Sequence, residues 1–298
     1  MSSSMPPYRG ALFMVCSTGS YIVSDTFMKL ATAGLPPYEV LLLRGVSATI
    51  CGIFLLSFLG QWRIVPKIFD RWVSIRNLIE LASVVCYILA LAKMPIANVA
   101  ALTQITPLIV LVGAAIFFRE RLSSTSITLI IVGFAGAIMV AQPTKEGLSL
   151  FAVLALGNAI FGAIRDLVGR RVPATVPGIL VAFGASVLVL IGAIAIHFTL
   201  EETIVPNARH VLLLTGSGLF LFAGHYLLFT AYRLGPTAIV APYYYFFSVW
   251  ALIAGVLVFN TLPNLMAITG IVLVIASGVA IVLFDRSRMR PAPVAGLM

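Results

Sequence analysis

Charged side chains are scarce in this sequence, and several fall inside long apolar runs where a charge needs a reason to exist. Asp, Glu, Lys and Arg make up 10% of the 298 residues, against 61% hydrophobic. An ionisable group at the centre of such a run costs roughly 3 kcal/mol on insertion scales, so each one is a candidate for work. Asp25 and Lys29 stand four residues apart, on one face of a helix. Asp166 and Arg170 repeat that spacing, with Arg165 adjacent. Such pairs could brace or gate the two mouths of an internal cavity. They could also be local ion pairs that neutralise charge near a helix end. Glu80 follows Arg76 by four, and is either its structural partner or a site for a substrate ammonium or a proton. Arg44, with Glu39 upstream, either snorkels to the headgroups or pairs with a carboxylate, of the protein or of a substrate, inside the bundle.

The densest aromatic signal is Tyr243-Tyr244-Tyr245-Phe246-Phe247 with Trp250, six rings within eight positions. Tyr and Trp at span ends form interfacial belts. Six rings so close must wrap the helix, however, and inward faces suit ring stacking or cation contact with a ligand. Tyr244, Phe247 and Trp250 are therefore candidate substrate contacts, joined by Tyr87, Gln104, Glu80 and His225. Gln104 belongs to an uncharged hydrogen-bonding set with Asn98, Thr103 and Thr106. His225, standing alone, also reads as a satisfied polar residue of the core.

Other chemistries find no support in the residue pattern. There is no Walker A loop, no HExxH and no nucleophile elbow, so neither ATP hydrolysis nor proteolysis is expected. No metal or other cofactor is expected, and the chain is not expected to be an enzyme. An intramembrane enzyme would need a nucleophile–base pair or metal triad at mid-depth. A channel is the other alternative, which saturable counterflow would separate from a carrier. Cys16, Cys51 and Cys86 lie apart in apolar stretches and read as small core hydrophobes. The net charge of +9 sits in short loops rather than on one helix face, which argues for membrane topology and against nucleic acid.

The elements that must position these residues are long. A soluble chain carries about 25% charged residues, and a helix needs about 20 apolar residues to span the bilayer. Ten apolar runs fit, near 10–34, 38–59, 74–93, 97–118, 126–141, 148–168, 177–198, 210–232, 239–259 and 265–284. The first continues without an Ala-x-Ala cleavage site and is expected to be a helix, not a removed leader. Pro107 and Pro242 should kink their runs. With the N-terminus inside, thirteen Lys and Arg residues, Arg76 among them, fall on the cytoplasmic side and four on the other. Both termini are then cytoplasmic. A shift of 141 residues lays Asp25 on Asp166, Lys29 on Arg170, Pro36 on Pro177 and Pro95 on Pro236. Five spans is an odd number, so the second half enters from the opposite side. The expectation is an all-α membrane protein of ten transmembrane helices in two inverted five-helix repeats, residues 1–143 and 144–298, the architecture of alternating-access carriers.

Phe117-Phe118-Arg119-Glu120-Arg121-Leu122 followed by Gly133-Phe134-Ala135-Gly136, with Pro95-Ile96-Ala97 and Thr106-Pro107 before it, resembles the fourth-to-fifth helix junction of EamA-type transporters of the drug/metabolite superfamily. The second half departs from the pattern, with Thr261 where the junction glutamate would recur. The resemblance implies a metabolite carrier of the bacterial inner membrane, commonly an exporter of amino acids or small toxic compounds. Amino acids, aromatic ones included, are the expected cargo. Uptake, or proton-coupled drug/metabolite antiport, of another solute such as S-adenosylmethionine is the alternative.

Overall fold

The computed structural model describes residues 8–117, 124–141, 149–169, 171–173, 175–234 and 241–288. They form α1 (Tyr8–Ala31), α2 (Pro37–Phe58), a 3-10 segment (Trp62–Phe69), α3 (Arg71–Lys93), α4 (Ile96–Thr103), α5 (Thr106–Phe117), α6 (Ser124–Ala141) and α7 (Leu150–Gly169). Beyond these lie α8 (Gly178–Leu200), α9 (Ala208–Leu234), a 3-10 turn (Ala241–Tyr245), α10 (Phe246–Phe259) and α11 (Leu265–Arg288). No strand occurs among the described residues.

Local chemistry sets the breaks. Pro37 opens α2 at a position where its missing N–H is not needed. Asp70 caps α3, its carboxylate accepting the Trp72 and Val73 N–H groups. The fourth apolar run divides at Gln104-Ile105, between α4 and α5, because Pro107 offers no N–H to the carbonyl of Thr103. The ninth begins as the 3-10 turn that contains Pro242. Asn260 ends α10 in the left-handed conformation, φ 49°.

Among the described residues, five helices are long and apolar enough to cross a membrane: Pro37–Phe58, Arg71–Lys93, Leu150–Gly169, Gly178–Leu200 and Ala208–Leu228. Their outer faces carry large apolar side chains such as Phe54, Leu200 and Leu212, all exposed. A water-soluble monomer does not present apolar surface on this scale. Polar groups point the other way. Ser17, Ser20 and Ser24 on α1 bond to the carbonyls of Gly224, Phe220 and Ser217 on α9, a ladder that fixes the two helices antiparallel.

The main packing joins the first part of the chain to the second. α1 lies on α9, α3 on α7, α2 on α8, α6 on α11 and α4 on α10. Helices 141 residues apart therefore pair with each other or exchange partners, as a two-fold relation requires. Glycines allow the closest crossings. A side chain at Gly136 would meet the Gly270 carbonyl oxygen at 2.8 Å, and one at Gly218 would meet the Arg44 carbonyl oxygen at 2.9 Å. The cysteine expectation fails at Cys16, which is exposed on the outside of α1, while Cys51 and Cys86 are half-buried. A thiol is apolar enough for either side of a helix in this solvent. Arg76, counted above with the loop charges, is buried within α3.

Candidate functional site

The in-membrane charges assemble into two centres that face one cavity. In the first, Tyr87 of α3 donates its hydroxyl to Asp25 Oδ2 at 2.7 Å, and Arg44 Nη2 of α2 approaches Asp25 Oδ1 at 3.7 Å. In the second, Arg165 of α7 holds Glu80 at 2.9 Å and Asp166 at 2.8 Å, while Arg76 adds a 3.5 Å contact to Glu80. Arg76 also donates to Asn77 Oδ1 at 2.9 Å. Charges buried in this way persist only when paired.

A cavity of about 40 Å³ lies between the centres, lined by Arg44, Glu80, Ser186 and His225 amid Leu41, Val84, Val189 and Leu221. It has room for roughly three water molecules. Arg44 and Glu80 come from the first half of the chain, Ser186 and His225 from the second. His225 bonds through Nδ1 to the Leu221 carbonyl of its own helix at 2.9 Å and meets the Tyr21 ring edge-on.

Asp25 and Lys29 share a helix face but form no pair. Asp25 turns to Arg44 and Tyr87. The Lys29 ammonium donates to the carbonyls of Leu91 and Met94, each at 2.6 Å, and lies 5.7 Å from the centre of the Phe259 ring. The orphan carbonyls at the end of α3 offer it several oxygens at once, which a single carboxylate one turn away does not. The local-pair expectation is thus corrected for the first half. In the second half Asp166 pairs with its neighbour Arg165. Arg170 lies outside the described residues, as do residues 118–122 of the junction quoted above. Arg44 turns inward toward the Asp25 carboxylate rather than outward to the headgroups.

Of the seven expected substrate contacts, the cavity brings together Glu80 and His225. Tyr87 stands behind Arg44 through Asp25. Gln104 donates to the Tyr244 carbonyl at 3.2 Å, tying the α4–α5 break to the 3-10 turn. Tyr244 stacks on Phe247 with ring centres 6.2 Å apart, and Trp250 donates to the Val15 carbonyl at 3.3 Å beside Gly19. Tyr243 and Phe246 face outward. None of these aromatic residues lines the cavity.

Sequence reasoning missed a seam at one end of α2 and α8. The Glu201 carboxylate accepts the Tyr38 and Glu39 N–H groups and contacts His197 Nδ1, each at 3.1 Å. Glu39 in turn accepts the Ile204 N–H at 3.0 Å. The spacing of His197 and Glu201 was the available signal. This seam closes the α2–α8 pair at that end, above the cavity that the same helices line.

Helices with apolar exteriors and a charged interior shared by two halves define a multi-pass membrane protein of the transporter class. The chain belongs to the EamA-like transporter family, whose model matches it twice, over residues 8–142 and 149–284. It is 26% identical over 277 residues to the pseudopaline exporter CntI of Pseudomonas aeruginosa, covering 91% of this chain and 95% of that one. A riboflavin transporter of Vibrio cholerae is 25% identical, covering 88% and 89%. The S-adenosylmethionine uptake transporter of Rickettsia conorii is 22% identical, covering 97% and 98%. A solved crystal structure superposes with a TM-score of 0.69 at 17% identity, over 96% of this chain and all of the other, and shares the fold.

Proposed function

We propose that this protein exports amino acids, including aromatic ones, across the bacterial inner membrane by alternating access. Ten spans in two inverted repeats, residues 1–143 and 144–298, would carry the motion, with both termini in the cytoplasm. The observation that supports it most is the charge-lined cavity at the seam, to which α2 and α3 of one half and α8 and α9 of the other contribute. A site walled by both halves is exposed to one side or the other by rocking them. The antiparallel packing of α2 on α8 and of α6 on α11 supports the inverted arrangement. Export and a small-molecule cargo draw support from the relative named as an exporter; the relative named for uptake favours the opposite direction.

Charged residues of the spans are the gates in this reading. Asp25 and Lys29 brace one mouth, and Arg165, Asp166 and Arg170 the other. Replacing Asp25 and Lys29 together by apolar residues should abolish transport; unchanged transport would remove the gating role. The function itself is tested in tight proteoliposomes loaded with labelled phenylalanine, threonine or glutamate, with and without a pH gradient. Saturable exchange inhibited by other amino acids supports the reading, and linear flux favours a channel. Absence of flux for every amino acid moves the cargo to another metabolite.

A further inference from the structure

We infer that Arg44 is the anion-binding residue of the internal cavity and that the solute presents a carboxylate to it. The inference rests on the cavity being the solute's station, as proposed above. The two arginine centres that face the cavity differ in how fully their donors are used. Arg165 makes two contacts under 3 Å with carboxylate oxygens. Arg44 makes none. Its nearest carboxylate oxygen, on Asp25, is 3.7 Å away, whereas a charge-assisted bond is about 2.8 Å. Its Nη1 donates to the Met28 thioether at 2.8 Å, a weak acceptor. Its Nε is buried with no partner. Arg44 is 6% exposed and is one of the residues that line the cavity, so an under-used cation stands in the wall of that space.

Asp25 explains how such a cation is tolerated. Tyr87 holds its other oxygen at 2.7 Å and keeps the carboxylate near Arg44 without closing on its donors. Asp25 thus offsets the charge of Arg44 and leaves the guanidinium fork for an incoming acceptor. The fork suits carboxylate or phosphate, and the surroundings choose between them. With carboxylates ionised, Arg44, Arg76 and Arg165 balance Asp25, Glu80 and Asp166 in the two centres. A zwitterion leaves that balance intact, while a phosphate adds up to two uncompensated charges beside Leu41, Val84 and Val189. The cavity is too small for a metabolite in this conformation, so binding must accompany separation of α2 from α8 and α9.

The test turns on phenylalanine and phenylalaninamide, which differ only at the acid. Purified wild type, Arg44→Gln and Arg44→Lys in detergent are titrated with phenylalanine, threonine, glutamate, 3-phenylpropionate, phenylalaninamide and inorganic phosphate, and thermal stabilisation is read. At least one carboxylate should stabilise the wild type, with phenylalaninamide at least about tenfold weaker. Arg44→Gln should lose about tenfold or more in apparent affinity, the scale of a hydrogen bond to a charged group, and Arg44→Lys should retain part. If Arg44→Gln does not fold, the acid–amide comparison in wild type and the Arg44→Lys titration decide. An amide as strong as its acid, phosphate as strong as the carboxylates, or no carboxylate effect overturns the inference. Binding of 3-phenylpropionate that depends on Arg44, with no amino acid bound, upholds the anion site and rejects the amino-acid cargo.

Discussion

Lys29 and Asp25 illustrate how a shared helix face fails to dictate a partner. Their spacing allows an ion pair, yet each finds a better arrangement on a neighbouring helix. Double-mutant cycles read by thermal unfolding in detergent should reflect this. Asp25 and Lys29 should be additive within about 0.5 kcal/mol, whereas Asp25 and Arg44 should couple by about 1 kcal/mol or more. Strong coupling of the first pair would contradict the geometry described. Glu80 is the reverse case, one carboxylate serving Arg165 and Arg76. Glu80→Gln should leave Arg76 without its carboxylate and Arg165 with Asp166 alone, and cost about 3 kcal/mol. Adding Arg165→Gln should restore part of that loss, and a double variant less stable than the single one would refute the account. The charges themselves were legible, because an ionisable residue in an apolar run stands out in any reading of the sequence. The Arg76–Glu80 pair was legible too, from its four-residue spacing, whereas partners on other helices were not, since Arg44 meets Asp25 only once α1 and α2 are placed side by side. Tyr87 was visible as a polar ring, and its service to Asp25 was invisible for the same reason.

Helix pairing in lipid cannot draw on water release, so close packing and interhelical hydrogen bonds must serve instead. α1 and α9 use the second device. Ser17, Ser20 and Ser24 follow a three–four spacing that marks one face of α1, and this signal went unread because serine also occurs harmlessly in loops. Each of Ser24→Ala and Ser217→Ala should cost only about 0.6 kcal/mol, the average for such bonds. α6 and α11 use the first device. Gly136→Val has no room beside the Gly270 carbonyl and should cost about 2 kcal/mol. The same unfolding measurement ranks them, and a serine effect larger than the glycine effect would reverse this assignment. The breaks at Pro107 and Pro242 were readable, because a missing N–H is written in the residue itself. The 3-10 segment Trp62–Phe69 was not. Its Ile64, Val65 and Ile68 pack on Val73, Val176 and Leu180, while Trp62, Arg63, Lys67 and Phe69 remain exposed, a pattern too short to separate from a loop by periodicity.

At the scale of the whole molecule, charge placement and packing make independent statements about topology, and they can be set against each other. The Trp62–Phe69 segment and the Glu201–Asn207 stretch lie at opposite ends of α2, since Trp62 follows its last turn and Glu201 bonds to its first. Lys and Arg predominate near the first end, so the proposed orientation puts that end in the cytoplasm. Two inverted repeats then require every helix end near Glu201 to face outward, those of α1, α3 and α10 included. Cysteine labelling in intact cells tests this directly. After Cys16, Cys51 and Cys86 are replaced by alanine, a cysteine at exposed Val205 should react with a membrane-impermeant maleimide without permeabilisation. One at exposed Lys67 should react only after it. Val205 and Lys67 belong to different halves, so the reverse pattern would invert the whole molecule. Labelling of both positions from one side would break the inverted repeat itself, and with it the argument that rocking the halves exposes the Arg44 cavity to each face in turn.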